Sequence, residues 1–241
     1  GRYNGTLIHR SEPGFVIQGG WLSFDEQAQL FRAVEIDDPI VNEFNVSNTR
    51  GTIAMAKQAG NPDSATSQWF FNLTDNLSLD TSNGGFTVFG EVIGDGMSVV
   101  DTIAALPRQF LSSSINFQFP LIDFDGNNLT NANLVNLDMM VLPNVYEETS
   151  GVLTLRIDAP GIGLLKVAFN VVTVSEGVIQ ADENSVEELA KSLANMATFD
   201  SSTSRLHIPE LAVNGEIVFR NVVFVLTDEE QLLFRIESFD D

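Results

Sequence analysis

Within its first twenty residues the chain places Ile8-His9-Arg10 shortly before Pro13-Gly14-Phe15-Val16-Ile17-Gln18-Gly19-Gly20. One guanidinium and one carboxamide thus lie close to a run of apolar side chains. A reaction that suits such a set is rotation about an X-Pro bond, whose barrier of roughly 18–20 kcal/mol is the amide resonance lost as the C–N bond twists. That reaction needs no nucleophile, metal or cofactor. It needs an apolar pocket for the proline ring, donors for the neighbouring carbonyls, and a cation that can hydrogen-bond the imide nitrogen as its lone pair localises. Taken singly the residues have blander readings. A lone Arg on a strand is ordinarily a solvated charge, and Phe15, Phe70 and Phe71 ordinarily fill a core. His9 reads as structural, satisfying a backbone group near a strand end.

The elements that must position these residues are short. Apolar strands are expected over 6–9, 15–18, 52–56, 69–74 and 87–93, separated by clusters of Gly, Asn, Asp and Pro. Met97, Val100, Ile103 and Ala104 then fall at helical spacing over 97–106, and Pro107 can end that helix. A domain boundary follows near Pro107–Arg108.

Five runs in order carry a family resemblance: Ile8-His9-Arg10, the Pro13–Gly20 stretch, Arg50-Gly51-Thr52-Ile53-Ala54-Met55-Ala56, Ser67-Gln68-Trp69-Phe70-Phe71, and Phe86-Thr87-Val88-Phe89 continuing into Gly90-Glu91-Val92. Together with the opening Tyr3-Asn4-Gly5-Thr6 they are similar to the signature blocks of bacterial-type cyclophilins. The resemblance implies a peptidyl-prolyl cis/trans isomerase fold and activity over about residues 3–103. By position it implies that Arg10 is the catalytic guanidinium, with Gln18 orienting it and Gln68 holding substrate backbone. Phe15, Val16, Phe70 and Leu79 would wall the proline pocket, Phe86 would stand at its rim, and Ala56 and Lys57 would line the approach for the residue before proline. The pattern departs from the family at Ile8, Val16, Lys57 and Ser78. Ser78 stands where a large aromatic is frequent, which implies an altered pocket and weak binding of cyclosporin-type ligands.

Family members first lay down two barrel strands and a helix, so the resemblance also implies a barrel incomplete at its N-terminus. Its open edge would be filled by an upstream segment or by a neighbouring subunit, the latter making self-assembly part of the fold.

Composition bounds the partners. Twelve basic residues against 33 acidic ones give a net charge of −21, spread over both halves, which disfavours nucleic acid and anionic membranes. The absence of cysteine rules out disulfides and thiol chemistry, and it suits a periplasmic or extracellular location. No apolar stretch approaches a membrane span. The sequence 123–128, Asp-Phe-Asp-Gly-Asn-Asn, reads as an Asp-Gly turn rather than a calcium loop, because Gly falls fourth rather than sixth and no Glu closes it. No metal or cofactor site is expected. Asn4, Asn45, Asn72, Asn76 and Asn128 begin N-x-Ser/Thr triplets that read as chance occurrences.

Residues 108–143 form an Asn-rich connector whose Phe117, Phe119, Leu121 and Ile122 must pack on something. Residues 144–241 read as a β-rich accessory domain. Its strands are interrupted by one helix, which Ser185 and Glu188 would cap and in which Val186, Leu189, Leu193 and Met196 share a face. An offset of 53 residues superimposes Leu153 on Leu206, Leu155 on Ile208, Phe169 on Val222 and Val171 on Phe224, the pattern of a duplicated β unit. The expectation is a mainly β protein: a cyclophilin-like β-barrel, incomplete at its N-terminus (1–107), a packed connector (108–143) and the accessory domain (144–241). The function expected is isomerisation of X-Pro bonds in exported polypeptides. The alternative is an extracellular structural or assembly subunit that uses the same fold as a scaffold.

Overall fold

A computed structural model describes residues 2–240. The chain divides into two compact units, Gly1–Met140 and Val141–Asp241.

Among the described residues the first unit contains one two-stranded ladder and two larger antiparallel sheets. One is ordered β11-β1-β4-β5, from β1 (Thr6–Leu7), β4 (Leu22–Asp25), β5 (Leu30–Ala33) and β11 (Asn136–Leu137). The other is ordered β2-β3-β7-β6-β8, from β2 (Arg10–Glu12), β3 (Val16–Gly19), β6 (Thr52–Met55), β7 (Trp69–Asn72) and β8 (Val88–Glu91). Residues directly opposite in such a ladder share a face. The pairs Arg10–Gln18, Gln18–Phe70 and Ala54–Phe70 therefore form one row on one face of four adjoining strands. The opposite face turns Ile17 and Trp69 toward helix α1 (Gly96–Ala105), whose Val100 and Ala104 are buried against them. The helix ends one residue before the expected limit, and its spacing explains why it forms: Met97, Val100, Ile103 and Ala104 make one apolar stripe.

Most of the expected connector belongs to this first unit. A short ladder joins β9 (Arg108–Gln109) to β10 (Phe119–Pro120), and Ser11 N donates to Gln118 O at 3.0 Å, which lays the segment along β2. Phe119, Leu121, Leu129 and Leu134 join Leu7, Leu22 and Phe24 in a core. Burial of that many apolar groups is what draws a polar, Asn-rich segment onto the sheets. Asn136–Leu137 flanks Thr6–Leu7, whereas among the described residues Val88–Glu91 pairs on one side only, with β6.

The second unit is a closed β-barrel. Its strands are β12 (Asn144–Glu147), β13 (Val152–Ala159), β14 (Gly163–Thr173), β15 (Val178–Ala181), β16 (Glu187–Glu188), β17 (Ala197–Asp200), β18 (Arg205–Val213), β19 (Glu216–Asp228) and β20 (Leu233–Asp240). The order β13-β17-β18-β19-β20-β15-β14 returns to β13 through eight paired residues. β12 and β17 bridge β13 to β18 at different points along their length. A 53-residue offset carries Asn144 to Ala197, Val152 to Arg205 and Gly163 to Glu216, the first residues of successive strands in the two halves. Leu153, Leu155, Phe169, Leu206, Ile208, Val222 and Phe224 all point into the one core.

The expected accessory helix is corrected. Glu183–Ser185 makes a single 3-10 turn, and Glu187–Glu188 pairs with Leu165 and Lys166 of β14. The Ser185 hydroxyl accepts from Ala168 N at 2.8 Å and donates to Asp182 O at 2.6 Å, so it does not cap a helix. Isolated helices of this length are marginal, and the free ladder edge at Leu164–Lys166 offers the segment backbone partners that a helix would have to supply itself. Of the four supposed face residues only Met196 is buried, while Val186 and Leu193 stay exposed.

Candidate active site

The cross-strand row creates the site. Arg10 Nη1 donates to Gln18 Oε1 at 3.1 Å, and Gln18 Nε2 donates to Gln68 Oε1 at 2.8 Å. Two carboxamides in series thus hold one guanidinium edge. A longer ion pair, 3.6 Å from Arg10 Nε to Glu12 Oε1, lies toward solvent. Beside this chain is a cavity of about 270 Å³ lined by Arg10, Phe15, Val16, Gln18, Ala56, Lys57, Phe70, Leu79, Phe86 and Phe117. Nine of the ten residues singled out from the sequence line that one cavity. The tenth, Gln68, lines an adjoining depression of about 240 Å³ together with Gln18, Trp21, Lys57 and Phe117.

The cavity floor is apolar because Val16, Ala54 and Phe70 are buried beneath it, with Phe86 edge-on to Phe70 at 5.8 Å. Lys57 is tied down. Its Nζ donates to Asn83 O at 2.9 Å and to Gly85 O, and it sits 4.8 Å from the centre of the Phe86 ring. Burial lowers its pKa from the ordinary lysine value. Lys57 therefore acts here as a clamp on the loop that carries Phe86.

Sequence reasoning missed two sets of supporting residues. The first is a buried amide network. Asn76 Nδ2 donates to Phe15 O (2.9 Å) and Asn72 Oδ1 (2.7 Å), Asn72 Nδ2 donates to Thr52 Oγ1 (2.9 Å), and Asn48 Nδ2 donates to Phe86 O (3.0 Å). Asp80 accepts from Ser47 Oγ and from Asn48, and those bonds lower its pKa. The network fixes the backbone at Phe15 and Phe86 on two sides of the cavity. Two of its members, Asn72 and Asn76, are buried, so their N-x-Ser/Thr triplets are closed to modification in the folded unit, while Asn4, Asn45 and Asn128 are exposed. The second missed residue is Phe117, from the former connector. Arg10 Cζ lies 5.3 Å from the centre of its ring. In the expected Asp-Gly turn, Asp125 accepts from Asn127 N at 3.0 Å.

His9 lies beneath the site, fully buried and edge-on to Trp21 and Phe117 at 5.4 and 6.0 Å. Burial pushes its pKa down to about 4, so the ring is neutral near pH 7. Between about pH 6.5 and pH 4 the unfolded chain binds a proton that the folded unit refuses, so this contribution to stability is full above pH 6.5 and falls as the pH drops toward 4. Its ceiling is about 3 kcal/mol. Urea unfolding of the wild type at pH 7 and pH 5, set against His9→Phe, should show a shallower pH dependence in the variant; equal slopes would exclude His9 as the source.

Comparison with known proteins shows what this region is similar to. The family model for cyclophilin type peptidyl-prolyl cis-trans isomerase/CLD matches residues 1–115. Residues 1–115 are thus similar to a cyclophilin-type domain. A peptidyl-prolyl cis-trans isomerase of Acinetobacter baylyi is 49% identical over 109 residues, covering 44% of this chain and 54% of that protein. Peptidyl-prolyl cis-trans isomerase A of Dickeya dadantii is 44% identical over 113 residues (45% and 56%), and isomerase B of Escherichia coli is 46% identical over 110 (43% and 63%). The chain spans little more than half the length of these relatives. The cyclophilin match ends at residue 115, so Phe117 enters the site from just beyond it.

Proposed function

We propose that this chain is a peptidyl-prolyl cis/trans isomerase that twists X-Pro bonds with the help of Arg10. The observation that carries the reading is the Arg10–Gln18–Gln68 chain standing at the wall of an apolar cavity. A proline ring enters between Phe15, Val16, Phe70, Leu79 and Phe86, which repel water and favour the ring by burial. The peptide on either side lies across Arg10 and Gln68. As the C–N bond rotates, the imide nitrogen regains a localised lone pair, and the Arg10 guanidinium donates to it while Gln18 keeps the fork in place. No bond is made or broken, so the same contacts serve both directions.

The natural clients are exported polypeptides in this reading, which the cysteine-free composition supports, since no thiol is exposed to oxidation outside a reducing cytoplasm. The deciding experiment follows cis/trans exchange of an Ala-Pro peptide by NMR in the presence of the full chain. Exchange accelerated by catalytic amounts of protein is expected, and unaccelerated exchange by folded protein overturns the proposal.

A second reading, assembly with the fold as scaffold, is favoured by the one-sided pairing of β8 among the described residues, with Phe89 about half exposed. Open ladder edges recruit further strands. It requires association that rises with protein concentration and weakens in Phe89→Lys, read by sedimentation.

A further inference from the structure

We propose that Phe117 is a positioning residue that holds the Arg10 guanidinium in its working orientation, a role that rests on the isomerase reading above. Arg10 is a long side chain that needs more than one restraint. Gln18 holds Nη1 toward the cavity at 3.1 Å, while Nε is buried without a hydrogen-bond partner among the described residues, its nearest carboxylate being the partly exposed Glu12 at 3.6 Å. The Phe117 ring supplies the second restraint, with the guanidinium carbon 5.3 Å from its centre. A cation over an aromatic face is held by the ring quadrupole, more strongly where water is excluded. The ring itself is fixed. His9 and Trp21 meet its edge at 6.0 and 6.4 Å, and the adjoining Gln118 carbonyl accepts from Ser11 N in the strand that carries Arg10. Phe117 and Arg10 are therefore bound to one another through both backbone and side chain, although 107 positions separate them in the sequence.

A guanidinium needed only in the twisted state acts through its position, so losing one restraint should lower turnover more than binding. Phe117→Leu should reduce kcat for an Ala-Pro peptide about tenfold, within the range a desolvated cation–aromatic contact supplies, and leave KM within about twofold. Phe117→Tyr and Phe117→Trp should keep most of the turnover. In an Arg10→Ala background Phe117→Leu should cost nothing further. A second readout is free of activity: the Arg10 Nε–H proton resonance should carry a ring-current shift in the wild type and in Phe117→Tyr, and lose it in Phe117→Leu. An inactive wild type defeats the isomerase reading. An active wild type with Phe117→Leu turning over equally well, or with Leu and Tyr variants losing equally, overturns the positioning role. So does a Phe117→Leu variant that still costs activity without Arg10.

Discussion

Replacing Arg10 by alanine should lower kcat/KM for an Ala-Pro peptide by about a hundredfold or more while the protein stays folded. The magnitude is that of removing one preorganised donor aimed at developing charge, typically two to three powers of ten. The folded state should tolerate the change because Arg10 is only half-buried and its partners Gln18 and Glu12 keep other contacts or water. Arg10→Lys should be nearly as poor, since an ammonium cannot both accept the hold of Gln18 and present a second N–H in the same plane. Steady-state rates alongside thermal melts separate the two effects. An alanine variant with near wild-type turnover and an unchanged melt would remove the guanidinium from the mechanism.

The second large effect concerns stability, and it lies in residues that touch no substrate. Asn72→Ala removes the centre of the buried amide network: the Thr52 hydroxyl keeps its bond to Thr49 O but loses its amide donor, Asn48 Oδ1 loses a donor, and Asn76 Nδ2 loses one of its two acceptors. Each buried polar group deprived of a partner in this way costs about 1–3 kcal/mol, so the variant should lose about 3 kcal/mol. A first unit of this size should melt about 10 °C lower as a result. Activity should fall as well, because Asn76 and Asn48 hold the carbonyls of Phe15 and Phe86. Calorimetry and turnover measured well below the melt give both numbers. A loss under 1 kcal/mol would mean that solvent substitutes for the carboxamide.

These two cases also mark what the sequence made legible. Arg10, Gln18, Phe15 and Phe70 could be read because they occupy short regular strands whose alternate residues share a face, and because the motif blocks are contiguous. The helix before Pro107 was legible from one apolar stripe. Asn48, Asn72 and Asn76 were not, since an isolated Asn looks the same in a turn, at a surface triplet or at the centre of a buried network. Phe117 was visible as an aromatic that had to pack, but its target was not, because the segment around it pairs through two-residue ladders that leave no period to read. The supposed helix over 185–196 had a helical pattern and lost to a nearby strand edge, which only the three-dimensional arrangement supplies. In the second unit, by contrast, Phe234 is buried and Arg235 and Glu237 form outward ion pairs with Glu176 and Arg205, as the alternation of that strand requires.

The strand order of the second unit has a kinetic consequence. The hairpins β13–β14 and β18–β19 join neighbours in sequence, whereas the seams Val145–Ala212 and Ile179–Phe234 join residues more than fifty positions apart. Local pairings form early, because little chain entropy is lost in closing their loops; distant ones wait for both partners. Each half of the barrel can form its hairpin early, but its apolar side chains remain wet until the other half arrives to close the ring. Hydrogen exchange should therefore release the amides of both halves in one event, with the last hundred residues opening together rather than peeling from either end.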